Sequence, residues 1–140
     1  MKFTETKIEI TSKPARVWRT LTTHMPRHPE AYGIIRFDGH IDLRSKIKLW
    51  SEVAPDRAFA LKVIAFDAPH KMVWRGGMPF GLFVGTRSFA ISRTVHGSMF
   101  HMREEFTGLF AGPITNSMPD LTPSFTKFAN TLKQEAERHD

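Results

Sequence analysis

The stretch FAISRTVHGSMFHMREEF, residues 89–106, decides the fold. Phe89 and Ile91 on one side of TVHG, and Phe100, Met102 and Phe106 on the other, recur at every second position. Period two is the mark of a half-buried strand, and the Gly-containing break between the runs marks a hairpin. With TVHG (94–97) as the loop, Arg93 pairs with Ser98, Ile91 faces Phe100, Phe89 faces Met102 and Arg87 faces Glu104. The polar members of two otherwise apolar rows thereby meet across the pair. This register requires that no bulge intervene, because a slip of one residue turns a whole row outward.

The same alternation extends upstream. From Ile34 to about Leu109 six strands are expected, with apolar rows at Ile35, Phe37 and Ile41; Ile47, Leu49 and Val53; Phe59, Leu61, Val63 and Ala65; Met72 and Trp74; Phe83, Phe89 and Ile91; and Phe100, Met102 and Phe106. Turn-forming residues separate them, and the intervening positions are largely polar, so the sheet is antiparallel with one wet face. Lys2–Ile10 alternates as a first strand. Ser12 then offers an N-cap and Pro14 a first helical turn, with Val17, Trp18 and Leu21 at helical spacing. That helix stops in HMPRHPEAYG (24–33), where a short turn or second small helix follows. Near the end the period changes. Met118, Leu121, Phe125, Phe128, Leu132 and Ala136 recur at three and four, which predicts a long helix from Thr122, with Pro123 in its first turn, to His139. The fold class is α+β: a seven-stranded antiparallel sheet, two short helices between strands 1 and 2, and a C-terminal helix lying across the sheet. Residues 1–140 read as one domain.

Composition narrows the function classes. Cysteine is absent, which excludes thiolate chemistry and disulfides. No apolar run approaches the length of a membrane-spanning helix, and MKFTETKIEI alternates instead of forming a signal peptide, so a cytoplasmic protein is expected. The net charge of +6 is spread along the chain with no run of four basic residues and no nucleic-acid motif. A solvated basic surface is the simpler reading, and no nucleic-acid partner is expected. His24 and His28 have i, i+4 spacing, but Pro26 and Pro29 are expected to break the helix that would align them, so neither metal nor cofactor is expected.

Four segments in this order and spacing, SKPARVWRTL (12–21), PHKMVWRGG (69–77), GTRSFAI (85–91) and GSMFHMREEFTGLF (97–110), carry a likeness over nearly the whole chain. They resemble the START/polyketide-cyclase superfamily (SRPBCC), in particular its polyketide cyclase/dehydrase-like branch. The resemblance implies a helix-grip fold with a deep apolar cavity between a curved sheet and the C-terminal helix. It implies binding of lipids, sterols, polyketides or other hydrophobic molecules. Arg87 and Met102 stand where that branch often has histidine.

On this basis Arg87 and Glu104 are the expected polar anchor of the cavity. An arginine binds a carboxylate, phosphate or phenolate, and a glutamate orients it or accepts a hydroxyl proton. The alternative is an ion pair that satisfies itself. Trp74, Met72, Phe89, Met102, Phe106, Phe125 and Phe128 are the expected walls, with plain core packing as the alternative for Trp74, Met72, Phe125 and Phe128. No catalytic residue is assigned. The expected function is binding of a hydrophobic small molecule, lipid or polyketide-like, with an acidic or polar head. The alternatives are a cyclase or dehydratase using Glu104 and Arg87, which an inward Tyr32 or His101 would favour, and a basic module for RNA or a protein. Trp50, on the face of Lys46 and Lys48, is either a stacking platform or a ring covered by lysine stems. GGMPFG (76–81) is expected to be a flexible rim loop, and a homodimer through an exposed edge strand stays open.

Overall fold

The computed structural model describes residues 2–138. Strand β1 (Lys2–Ile10) leads into a helical segment made of α1 (Pro14–Arg19), a π-helical turn (Thr20–His24) and α2 (Met25–Arg27), then a 3-10 turn (Pro29–Tyr32). Six strands follow: β2 (Ile34–Asp38), β3 (Lys46–Ser51), β4 (Ala54–Asp67), β5 (Lys71–Gly77), β6 (Val84–Thr94) and β7 (Gly97–Thr107). Helices α3 (Ala111–Asn116) and α4 (Thr122–Arg138) close the described chain. The sheet order is β1-β7-β6-β5-β4-β3-β2, with every pairing antiparallel. Strands β2 to β7 form a meander, and β1 returns to the far edge beside β7. No described helix is long and apolar enough to cross a membrane.

The hairpin has the register expected of it. Arg93 pairs with Ser98, Ile91 with Phe100, Phe89 with Met102 and Arg87 with Glu104. The turn is tighter than a four-residue loop, since Thr94 and Gly97 themselves pair and leave only Val95 and His96 at the tip. Helix α4 covers the inner face with Phe125, Phe128, Ala129, Leu132 and Ala136, all buried. It begins at Thr122 with Pro123 next, as a missing N–H permits. The expected last residue, His139, lies outside the described residues. Helix α3 has no counterpart in the sequence reading.

Several expectations fail for local reasons. Ile34, not Ile35, enters the core, because a register shift between Ile34 and Arg36 inverts the pattern and leaves Ile35 about half exposed. A second shift, between Val63 and Ala65, puts Phe66 opposite Met72, so the inner row steps from Val63 to Phe66 and leaves out Ala65. Val53 lies in the β3–β4 turn, exposed. Ser12 does not cap α1; Lys13 occupies that position, and the Ser12 carbonyl accepts a 2.6 Å hydrogen bond from Ser98 Oγ. Pro26 does not break the helix. The π-helical turn immediately before α2 widens the ladder, where a proline's missing donor is tolerated. Gly33, at φ 83°, ends the segment as expected.

The C-terminal end of α4 is tied back to β1. Glu137 Oε2 accepts hydrogen bonds from Thr11 N at 2.9 Å, Thr11 Oγ1 at 3.0 Å and Lys133 Nζ at 2.6 Å. The Lys133 hydrogen bond first, then that from Thr11 N, holds its carboxyl below the ordinary glutamate range. A carboxylate with a lowered folded-state pKa stabilises the fold above its unfolded pKa, and that contribution fades as pH falls through the folded value. The stability gap between wild type and Glu137→Gln in urea titrations is therefore expected to be full at neutral pH and to close on acidification.

Candidate functional site

The inner face is built in rows that cross the sheet. Met72, Phe89, Met102 and Thr6 occupy one row of register partners. The next row is Val63, Trp74, Arg87, Glu104 and Thr4. One step further are Gly76, Gly85, Phe106 and Lys2. Strand alternation sends all these side chains toward α4. Met72, Trp74, Phe89 and Met102 have no exposed surface, and Phe106, Phe125 and Phe128 have less than a tenth.

The rings meet in the layer between sheet and helix. Trp74 and Phe89 centroids are 4.6 Å apart, Phe89 and Phe128 6.2 Å, and Phe100 and Phe128 6.3 Å. Tyr32 joins from the 3-10 turn, 5.2 Å from Phe128. Toward the β5–β6 loop, Phe83 stacks on Phe106 at 5.6 Å. Two open depressions lie elsewhere: one on the outer face of β3–β5, of about 610 Å³, and one beside the first helical segment, of about 210 Å³.

Arg87 and Glu104 are the polar point of this interior. Glu104 Oε1 accepts from Arg87 Nε at 2.9 Å and from Nη2 at 2.5 Å. The guanidinium carbon also sits 4.9 Å from the centre of the Phe125 ring, a cation–π contact supplied by α4. Their side chains keep 21% and 15% of their surface, so water still reaches the pair. One carboxylate oxygen takes both donors. Among the described residues Glu104 Oε2 and Arg87 Nη1 have no protein partner. Gly85 opens the space beside Oε2; a Cβ there would lie 3.0 Å from that oxygen. One register position away, the Trp74 indole N–H is buried without a hydrogen-bond acceptor. An orphaned buried donor costs about 1–3 kcal/mol, so it marks a place where an acceptor would be welcome.

Tyr32 does point inward. Its hydroxyl lies 2.8 Å from His24 Nδ1, and His24 Nε2 lies 3.4 Å from Glu135 Oε2. Burial first, then the nearby Glu135 carboxylate, raises the phenol's pKa above its ordinary value and keeps it protonated. These three residues come from three separate segments, and no spacing in the sequence joins them. The His24 and His28 rings lie 4.6 Å apart, tilted by 33°, and no group of three metal-ligating side chains gathers among the described residues. His101 faces outward, 2.7 Å from Glu5 Oε1. The Arg36 guanidinium carbon sits 5.1 Å from the centre of the Trp50 ring. The expected rim loop holds a 3-10 turn (Pro79–Gly81) that presents Phe80 almost wholly to solvent.

No family model and no curated relative matches the sequence. Solved structures do match over nearly its whole length. A protein from Mesorhizobium loti superimposes with a TM-score of 0.75 at 15% identity, covering 99% of both chains. The Aha1 dimer from Colwellia psychrerythraea gives 0.73 at 16% identity over 98% of this chain and 97% of the other. The di-domain aromatase/cyclase StfQ of the steffimycin biosynthetic pathway gives 0.74 at 13% identity over 98% of this chain and 51% of that one. At these identities the likeness is one of fold.

Proposed function

From a chain with the helix-grip fold of the START/SRPBCC superfamily, we propose binding of a hydrophobic small molecule that carries an acidic or polar head. The head meets Arg87 Nη1 and Glu104 Oε2, and the Trp74 N–H supplies a further donor. The observation that carries this reading is a buried indole N–H without an acceptor, set directly across from Arg87 of the water-accessible Arg87–Glu104 pair in otherwise apolar surroundings. A self-sufficient ion pair would not need the neighbouring indole to be left without an acceptor. Trp74, Met72, Phe89, Met102, Phe106, Phe125 and Phe128 form the apolar surroundings. An aromatase/cyclase among the proteins of similar fold supports, by analogy, a polycyclic or acyl ligand.

The test is a titration of folded protein with a fluorescent fatty acid and a fluorescent polycyclic phenol, read by anisotropy and by native mass spectrometry. Losing a charged hydrogen bond costs about 1.5–3 kcal/mol, so Arg87→Ala is expected to weaken binding by about 10- to 100-fold. Trp74→Phe removes the orphan donor together with the pyrrole half of a buried ring. It is expected to weaken binding several-fold, with the cost of the small void partly offset by the loss of an unsatisfied buried donor. Absence of binding of either probe to the folded wild type ends this proposal.

The cyclase or dehydratase reading draws on one further observation, the inward phenol of Tyr32 held by His24. A protonated phenol is a donor and an acid, not a base. On that reading Tyr32→Phe abolishes product formation with ligand affinity retained.

A further inference from the structure

The outer face of β3, β4 and β5 breaks a rule of sheet construction. Lys46, Lys62 and Arg75 are direct register partners across three neighbouring strands. Partners on one face stand about 5 Å apart at Cβ, and like charges placed so are destabilising. Lys48 adds a fourth cation two residues along β3. Among the described residues none of the four forms an ion pair. Asp38, the register partner of Lys48 and part of the same lining, is engaged by Arg36 Nε at 3.0 Å.

These cations wall the depression of about 610 Å³. Its low side comes from short residues, with Ala60 opposite Lys48 and Gly76 and Gly77 at the end of β5. That volume falls within the range of pockets for small organic ligands. Four cations around a cleft, against the single carboxylate of Asp38 at its β2 edge, leave an excess of positive charge that suits a multiply charged anion. Arg75 brings a planar fork for phosphate oxygens, and the lysines bring mobile point charges.

We propose that this cleft binds a small molecule carrying two or more phosphates, of the size of a nucleoside triphosphate or shorter oligophosphate. Single-stranded nucleic acid fits less well. Its bases need open aromatic platforms, and the Arg36 guanidinium already lies over the Trp50 ring on this face. The site is separate from the interior one, since its cations alternate along their strands with the inward-facing Ile47, Val63 and Trp74.

The test is a calorimetric titration of the full chain with inorganic tripolyphosphate and with a nucleoside triphosphate, at fixed ionic strength. Saturable one-to-one binding is expected. The Lys46→Ser/Lys62→Ser double variant is expected to bind at least ten times more weakly, with a melting temperature equal to or above that of wild type, because like-charge contact is relieved. Lys13→Ser/Lys71→Ser, which removes the same charge elsewhere, is expected to bind as wild type does. Should the first double variant fail to fold, Arg75→Gln takes its place with the same expected loss. No saturable binding overturns the proposal, and so does an equal loss in the Lys13/Lys71 variant, which would reduce the effect to net charge. Binding of a 20-nucleotide DNA strand or of phosphatidylglycerol vesicles that tripolyphosphate does not displace also overturns it, in favour of a macromolecular or lipid surface.

Discussion

Phe128→Ala is expected to lower stability by about 3–5 kcal/mol, within the range for truncating a buried phenylalanine. Phe128 is 2% exposed and is the ring on α4 that touches the most other elements. It contacts Tyr32 of the 3-10 turn, Phe89 of β6 and Phe100 of β7. Its removal leaves a void that three rigid rings on separate elements cannot close together, so relaxation recovers little. Total stability of a domain is about 5–15 kcal/mol, so a large share goes. Urea unfolding followed by far-UV circular dichroism measures it directly. A melting temperature lowered by roughly 10–15 °C is the matching thermal result for a chain of this length. A loss under 1 kcal/mol would mean that α4 grips the sheet loosely, contrary to the packing described above. The void also enlarges the interior, so on the proposed function this variant, once folded, accepts bulkier probes than wild type.

Gly97→Ala is the second severe change. Gly97 has a φ of 152°, and a Cβ there would lie 2.3 Å from the Ile10 carbonyl oxygen and 2.7 Å from Ser12 N. Both are backbone atoms and cannot swing aside. Backbone strain costs about 1–3 kcal/mol. The adjacent Ser98–Ser12 hydrogen bond, fully buried on the Ser98 side, stands to lose about 1–3 kcal/mol more. The expected total is about 2–6 kcal/mol in the same denaturation assay. Because Gly97 starts β7, the damage lies at the point that sets the register carrying Glu104 opposite Arg87. Weakened probe binding should therefore accompany the lost stability. Gly112→Ala serves as control: apart from its chain neighbours nothing lies within 4 Å of the added Cβ, and because Gly112 is in the first turn of α3 and precedes Pro113, a change within about 0.5 kcal/mol is expected.

Regular hydrophobic periodicity made much of this legible in advance. The β6–β7 pairing could be counted outward from the TVHG turn because a hairpin's loop constrains its register, and no bulge interrupts those strands. That count brought Arg87 and Glu104 together, and the shared inner face brought Trp74, Met72, Phe89 and Met102 beside them. The pattern misled at Ile35 and Ala65, where an extra residue in one strand reverses which face it shows. It misled at Pro26, where a wide helical turn absorbs a residue that ordinarily ends a helix. Ser12 was misread because Lys13 holds the cap position, while the Ser12 carbonyl accepts from Ser98 Oγ, 86 positions away.

Local rules therefore determined the element types, the antiparallel sheet, the amphipathic α4 and the pairing of guanidinium with carboxylate, because each depends on neighbours a few residues away or across one turn. Tertiary structure alone decided that the Trp74 N–H has no acceptor, that Tyr32 meets His24 and Glu135, and that Lys46, Lys62 and Arg75 stand abreast. Those facts depend on how separate strands and helices register and curl against one another. Such distances are set by the packing of the whole sheet on α4 and are written in no single segment of the chain.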